Sequence, residues 1–118
     1  MAIDLAAELD AVANGLLAID GIDSASADPA EVVAPGVVVQ LVSIGPGTLA
    51  GRMLQLQLLL VVADTGAAAA GSLSALLQLV EEYATADGPI QARSVLLPAT
   101  PTTPLPGLVF PLNHYTQE

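Results

Sequence analysis

The sequence predicts an α+β fold, in which a small mixed or antiparallel sheet is built around a long β-hairpin and two helices pack on it. Two long apolar segments, 37–44 and 53–63, flank a Gly-rich connection, which is typical of a hairpin. Two other segments, 3–18 and 67–84, repeat their leucines at the helical period. The chain has 118 residues, of which 53% are apolar and 12% charged, so we expect a single domain over 1–118.

The spacing of apolar side chains predicts the first helix over 3–18. These side chains recur on one face at intervals of four, three and four residues: Leu5, Leu9, Val12 and Leu16. The helix is expected to end between Ala18 and Gly21. A short edge strand over 22–27 follows, and Pro35-Gly36 marks the turn into the next strand.

The hairpin is predicted from two strands of different character. The first, over 37–44, is mostly β-branched, with only Gln40 and Ser43 polar. Because both of its faces are apolar, we expect it to be buried on both sides or packed against another subunit. The second strand, over 53–63, places leucine at every second position, so one face is continuously apolar. Gly45-Pro46-Gly47 is the predicted turn between them.

A second helix is predicted over 67–84, with Asp64-Thr65 as candidate N-caps. Its apolar face is formed by Leu73, Leu76, Leu77 and Val80. The small residues of 67–71 would allow this end to approach another backbone closely. Glu81 and Glu82 oppose the helix dipole near the C-terminus, which indicates either plain solvation or a cationic partner.

The last part of the chain is predicted as a strand over 90–97 followed by an extended arm over 97–118. Five prolines lie between 98 and 111. Proline has no backbone N–H, so we expect this segment to be neither a central strand nor the interior of a helix. It should run across a surface, with three apolar anchors: Leu108, Phe110 and Leu112.

Charge and cysteine content exclude several classes of function. The net charge is −10, lysine is absent, and Arg52 and Arg93 are the only basic residues besides one histidine. This balance disfavours binding to a nucleic-acid backbone or to an anionic membrane surface. Without cysteine there is no disulfide, no thiolate zinc site and no cysteine nucleophile. We therefore expect no metal and no cofactor.

Two features of the sequence bear on its location. The N-terminal segment lacks the positive charge of a signal peptide, so none is expected. The uncharged stretch 32–51 is long enough to span a membrane, but it contains two prolines and four glycines. Two short apolar segments joined by a turn explain that stretch better, so we expect a protein of a cytoplasm-like compartment and no membrane partner.

No residue pattern is typical of catalysis. Seven of the twelve acids fall within the first 31 residues, spread over a helix face and a loop. Asp20, Asp23 and Asp28 do not fit the twelve-residue calcium loop. His114 has no neighbouring Asp, Ser or Cys in the sequence, so a surface or packing role is expected. Gly45-Pro46-Gly47 is not a phosphate-binding loop, because that motif requires a lysine and the sequence has none. We therefore expect no enzymatic activity.

The candidate subunit-interface residues are the two arginines and apolar residues of the hairpin and the arm: Arg52, Arg93, Val37, Val39, Leu59, Val61, Leu108 and Phe110. Each arginine either pairs with an acid of its own subunit or with an acid of a neighbouring copy. In a chain with this much negative charge, each is a scarce point of attraction.

Two short signatures carry a resemblance: Ala34-Pro35-Gly36-Val37-Val38-Val39 entering the first long strand, and Leu97-Pro98-Ala99 after the later one. Together with element order and size, they make the chain resemble the tail terminator proteins of long-tailed phages, especially phages of actinobacterial hosts. The similarity covers most of the chain. It implies a homohexameric ring in the virion that caps the head-proximal end of the tail tube and stops its growth.

The resemblance also implies partners and a place of assembly. These are other copies of the chain, the tail tube protein and the head-neck connector protein, with assembly in the host cytoplasm. Genome DNA would pass through the ring without specific binding. The acids that would line its lumen or its outer surface are Asp4, Glu8, Asp10, Glu81 and Glu82. The alternatives are another neck or head-closure protein, or a small acidic adaptor without enzymatic activity.

Overall fold

The computed structural model describes residues 5–46, 51–64, 66–98 and 100–117, and at 46, 51–52, 100–101 and 115–117 it describes the backbone alone. Within these residues, two helices pack on one face of a five-stranded mixed sheet. The predicted α+β fold with a small sheet is therefore confirmed.

The helices and strands follow one another in this order: α1 (Leu5–Leu17), β1 (Ala25–Ser26), a 3₁₀ turn (Pro29–Glu31), β2 (Gly36–Pro46), β3 (Gly51–Val61), α2 (Ala67–Tyr83), β4 (Gln91–Leu97) and β5 (Thr100–Gln117). The strand order in the sheet is β1-β2-β3-β5-β4. β1 is parallel to β2, and the other neighbours are antiparallel. The short edge strand expected near the start of the chain is β1.

The predicted hairpin is formed by β2 and β3, which pair along their whole length. The register shifts between Leu41 and Ser43, where β2 contains one extra residue. The predicted turn differs from the structure, because Gly45 and Pro46 are still paired with β3. Gly47 lies outside the described residues.

The proline-rich segment is not a surface arm, and the prediction that it would lie outside the sheet interior is wrong. It forms β5, between β3 and β4. β3 pairs with 107–117 and β4 pairs with positions from 100 to 109, so only 107–109 have a strand on both sides. All prolines of β5 lie outside that short stretch: Pro101, Pro104, Pro106 and Pro111. Pro106 and Pro111 each pair with one strand only, and Pro101 and Pro104 have no partner in either register within the described residues.

The backbone at two of these prolines shows why the strand tolerates them. The carbonyl oxygen of Pro106 accepts a hydrogen bond from the backbone N–H of Val62, just beyond the end of β3, at 3.2 Å. The carbonyl of Pro111 accepts from the backbone N–H of Asp87, ahead of β4, at 3.0 Å. Within a strand, the N and C=O of one residue point to the same side. The nitrogen of each proline therefore points to a side on which no strand requires an N–H donor.

The sheet carries buried apolar side chains on both faces. On the helix face, residues of α1 and α2 such as Leu16 and Val80 pack with Phe110 and alternate positions of β2 and β3. On the opposite face, a smaller cluster contains Val32, Val38, Leu59, Val61, Val95, Leu97 and Leu105. Val32 belongs to the segment after the 3₁₀ turn and covers part of that face. The prediction that the first hairpin strand is buried on both sides is confirmed over 37–39.

The N-cap of α2 is Gly66, one residue after the predicted caps Asp64-Thr65. Gly66 has φ 63° and supplies no side-chain hydrogen bond. The carboxylate of Asp64 instead accepts a hydrogen bond from the Ser72 hydroxyl inside the helix. At the other end, Glu81 and Glu82 are exposed and no basic residue occupies the last turn of α2.

Of the small residues at the start of α2, Ala69 is buried in the core and Gly71 faces open space. A Cβ added to Gly71 would meet no atom within 4 Å outside the helix's own backbone. Gly71→Ala is therefore expected to raise the free energy of unfolding by about 0.5–1 kcal/mol, because alanine loses less conformational entropy in a helix. Urea unfolding of the two proteins measures this difference. A decrease would show that the position is packed against another surface.

The two helices meet where Gly15 of α1 faces Tyr83 of α2. A Cβ on Gly15 would lie 2.5 Å from Cε1 of the tyrosine ring, so glycine is needed for this close approach. Burial raises the pKa of the Tyr83 hydroxyl above its ordinary value.

Candidate functional site

Five of the predicted interface residues lie in the interior of the subunit. None of them is more than 6% exposed: Val37, Val39, Leu59, Val61 and Phe110. Such side chains offer no surface to a neighbour, so this part of the prediction is corrected. The apolar pattern showed that both faces of the hairpin are covered, and the coverage comes from the subunit's own helices and loop. Leu108 is half-buried against the helix-face core.

The structure describes the side chain of Arg93 but only the backbone of Arg52. Arg93 lies on β4 with an exposed side chain, and none of the described carboxylates forms an ion pair with it. Pairing within its own subunit is therefore not observed there. The backbone of Arg52 pairs with β2 and β5, and its side chain is outside the described set. Its predicted pairing stays a prediction.

The predicted acids are dispersed over the molecule. Asp10, Glu81 and Glu82 are exposed on the helices, and Asp4 lies outside the described residues. Glu8 differs, because its Oε2 lies 2.8 Å from Nε2 of His114. The two side chains are 31% and 26% exposed, respectively.

The contact between Glu8 and His114 ties α1 to β5 across a sequence separation of 106 residues. No local signal links these two residues, so analysis of the sequence missed the pair. The residues described by the structure include no group of three or more His, Asp or Glu side chains that could hold a metal ion. Among those same residues, no helix is both long and apolar enough to cross a membrane.

The outer edge of β4 is unpaired within the described chain. β4 stands last in the strand order and pairs only with β5. The C=O of Pro106 points towards the β3 side of β5 and away from β4. Pro106 and Ser94, its partner on β4, therefore form a non-hydrogen-bonded pair. Ser94 and Ala92 therefore direct their N–H and C=O groups away from the sheet. We call positions 91–97 the β4 edge.

The outer edge of β2 is also mostly unpaired in the described residues. β1 covers it only at Val37 and Val38. Val37 directs its backbone outwards, because its N–H donates to the carbonyl of Ser24 at 3.0 Å. By alternation along the strand, Val39 and Leu41 also direct their N–H and C=O groups outwards, and so does Ile44 beyond the register shift. The parallel register with β1 places the Val39 N–H against the carbonyl of Ser26, whereas the described chain provides no strand partner at Leu41 and Ile44. We call positions 39–46 the β2 edge.

The exposed large apolar side chains concentrate on these two edges. Five such side chains occur in the described residues: Leu17, Val33, Val42, Ile44 and Leu96. Val42 and Ile44 lie on the β2 edge and are 58% and 47% exposed, and Leu96 lies on the β4 edge and is 59% exposed. Single exposed apolar residues are ordinary on protein surfaces, but on an unpaired strand they favour addition of another strand.

Charge is distributed unequally between the two edges. Four exposed acids surround β1, beside the start of the β2 edge: Asp20, Asp23, Asp28 and Glu31. Asp28 accepts the backbone N–H of Ala30, and Glu31 accepts the hydroxyl of Ser26, so both carboxylates are held near the strand. We call these four residues the acidic corner. The β4 edge has the opposite sign, because it carries Arg93.

The sheet face away from the helices carries a row of amide side chains. Gln57 donates to Gln40 at 2.7 Å, and the Ser43 hydroxyl donates to Gln55 at 2.5 Å. A shallow groove of about 360 Å³ lies over this row and reaches the 87–91 segment. Amides can form hydrogen bonds but supply no acid, base or nucleophile at ordinary pH, and the carboxylate in the lining, that of Asp87, accepts the backbone N–H of Asn113 at 2.7 Å. The groove therefore favours contact over chemistry.

No family model, no curated protein and no solved structure matches this chain.

Proposed function

We propose that this chain is a structural subunit without enzymatic activity that assembles into a homohexameric ring, the tail terminator of a long-tailed phage. The observation that carries the proposal is the pair of free edges on one sheet. Two different edges on one subunit favour a head-to-tail contact, and such contacts produce a ring when the rotation between subunits closes. The order of the elements and the two signatures supply the phage assignment.

In this role the ring caps the head-proximal end of the tail tube and ends its polymerisation. Its other surface docks the head-neck connector, and the work is done by contact alone, with no cofactor. Its place is the virion, after assembly in the host cytoplasm. The closest alternative is another phage neck or head-closure protein, and the other alternative is a small acidic adaptor.

Charge supports passage of the genome without binding. Each copy has a formal charge of −10, so a ring of six copies has a formal charge of −60. Acidic walls repel the phosphate backbone and leave the duplex among mobile counterions. Asp10, Glu81 and Glu82 remain candidates for this lining or for the outer surface. Glu8 is a weaker candidate, because His114 holds its carboxylate.

Native mass spectrometry and sedimentation test the ring, and electron microscopy of purified virions tests its position. We expect a six-subunit species at micromolar to millimolar concentration and a ring between the tail tube and the head. A protein that stays monomeric throughout this range and is absent from virions would overturn the proposal in favour of the adaptor. A ring elsewhere in the neck would indicate a head-closure protein.

A further inference from the structure

We propose that neighbouring subunits of this ring join strand to strand: the β4 edge of one copy pairs with the β2 edge of the next. This inference depends on the proposed self-assembly and names the contact that produces it. The occupant of each edge is thus a second copy of this chain.

The backbone groups of the two edges are complementary. Ala92 and Ser94 present N–H and C=O groups at every second position of the β4 edge, and Leu41 and Ile44, on either side of the register shift, do the same on the β2 edge. β4 runs antiparallel to β2 within one sheet, because three antiparallel steps separate them. A neighbour in the same orientation therefore brings the two edges together as an antiparallel pair.

The side chains of the two edges favour the same contact. Pairing would remove from water parts of Leu96 on one side and of Val42 and Ile44 on the other. Natural edge strands are often protected against pairing by lysine or proline. The β4 edge has neither, and the β2 edge has a single proline at its last position, Pro46.

Charge selects unlike edges over like edges. An antiparallel pair of β2 edges would place an acidic corner at each end of the contact, and an antiparallel pair of β4 edges would bring two Arg93 side chains close together. Pairing of unlike edges brings Arg93 to the side of the neighbour that carries the acidic corner. A contact between like edges carries charge of one sign, whereas a contact between unlike edges carries both signs, so the head-to-tail contact is preferred.

The positions of the edges suit a closed ring. One pairing row crosses the sheet in the order Val38, Leu59, Val109 and Gln91, so the β4 edge begins near the level where the β2 edge begins and runs the opposite way. Outward-facing residues of the two edges oppose each other only when the shift is an even number, so joining the edges shifts each copy by about six or eight residues, or about 20 or 26 Å, for every four strand spacings of about 4.8 Å. The strands then incline to the ring axis by about 46° or 54°, at and above the upper end of the 35–45° of closed barrels.

Ser94→Pro tests the backbone contact, with Ser94→Ala as its matched control. Proline at 94 removes an N–H that faces away from the sheet, so thermal unfolding of the monomer should stay near that of the unchanged protein. We expect the dissociation constant of the oligomer, from sedimentation, to rise at least about tenfold in Ser94→Pro, which corresponds to about 1.4 kcal/mol. Ser94→Ala should keep the original value. Equal assembly by the proline variant, or an equal loss in both, would overturn the strand pairing.

Cross-linking identifies the partner edge and does not depend on the proline variant. The chain has no cysteine, so Ile44→Cys and Ser94→Cys each introduce one thiol, and both positions are exposed. A short bismaleimide should link the two variants when they are mixed, and should link neither variant to itself. Links within either variant alone, or no links in an assembled ring, would overturn the inference.

These outcomes are separable from failure of the proposed function. Mixed cross-links in a protein that is absent from virions would support the edge contact and contradict the phage role. A ring that is present in virions, tolerates Ser94→Pro and gives no mixed cross-links would support the phage role and contradict the edge contact.

Discussion

Replacing Phe110 with alanine is expected to lower the free energy of unfolding by about 3–5 kcal/mol, the usual cost of truncating a buried phenylalanine. Phe110 is 0% exposed and is the largest fully buried side chain in the described part of the protein. It lies on β5 opposite Leu58 and belongs to the helix-face core. Its removal would leave a cavity between the sheet and both helices.

Urea and thermal unfolding at one protein concentration measure the effect of Phe110→Ala. With about 4 °C for each kcal/mol in a chain of this length, we expect the midpoint to fall by about 12–20 °C. Val33→Ala is the matched control, since it truncates an exposed apolar residue outside both edges and should change stability by about 0.5 kcal/mol or less. Similar losses in both variants would indicate that β5 lies on the surface as an arm, against the observed sheet order.

Gly107→Ala is expected to cost about 2–3 kcal/mol through overpacking. A Cβ at this position would lie 2.8 Å from Cγ2 of Val95, 3.0 Å from the carbonyl oxygen of Leu60 and 3.1 Å from that of Arg93. Two of these neighbours are backbone atoms, one on each flanking strand. Neither strand can move away without loosening its pairing with β5.

The matched control for Gly107→Ala is Gly88→Ala in the exposed segment ahead of β4. A Cβ there would meet only Pro111 Cγ, at an ordinary 3.4 Å. We expect the Gly88 variant to unfold within a few degrees of the unchanged protein and the Gly107 variant to unfold about 8–12 °C lower. Equal midpoints for the two would contradict the close approach of three strands at 107.

Both large effects bear on assembly as well as on stability. β4 pairs only with β5 in the sheet, so the β4 edge keeps its position only while β5 is packed. Variants that loosen β5 should therefore lose the oligomer along with the fold. Ser94→Pro is distinguished from them because it should lose the oligomer and keep the monomer.

The sequence by itself determined the elements whose signal is local. Leucines at the helical period predicted both helices, and within the described residues the ends of α2 agree with that prediction to one residue. Alternating leucines in 53–63 and β-branched residues in 37–44 predicted the hairpin. Side chains of one helix or strand share a face because of its own geometry, so these patterns need no knowledge of distant residues.

Tertiary structure alone decided the role of the proline-rich segment and of the candidate site. Proline prevents a ladder hydrogen bond only on the side to which its nitrogen points, and that side depends on which strands lie next to it. Pro106 and Pro111 point where no strand lies, so β5 enters the sheet. The Glu8–His114 contact and the two free edges likewise arise from pairings between distant residues. Such pairings follow from the packing of the whole chain, and no local period in the sequence encodes them.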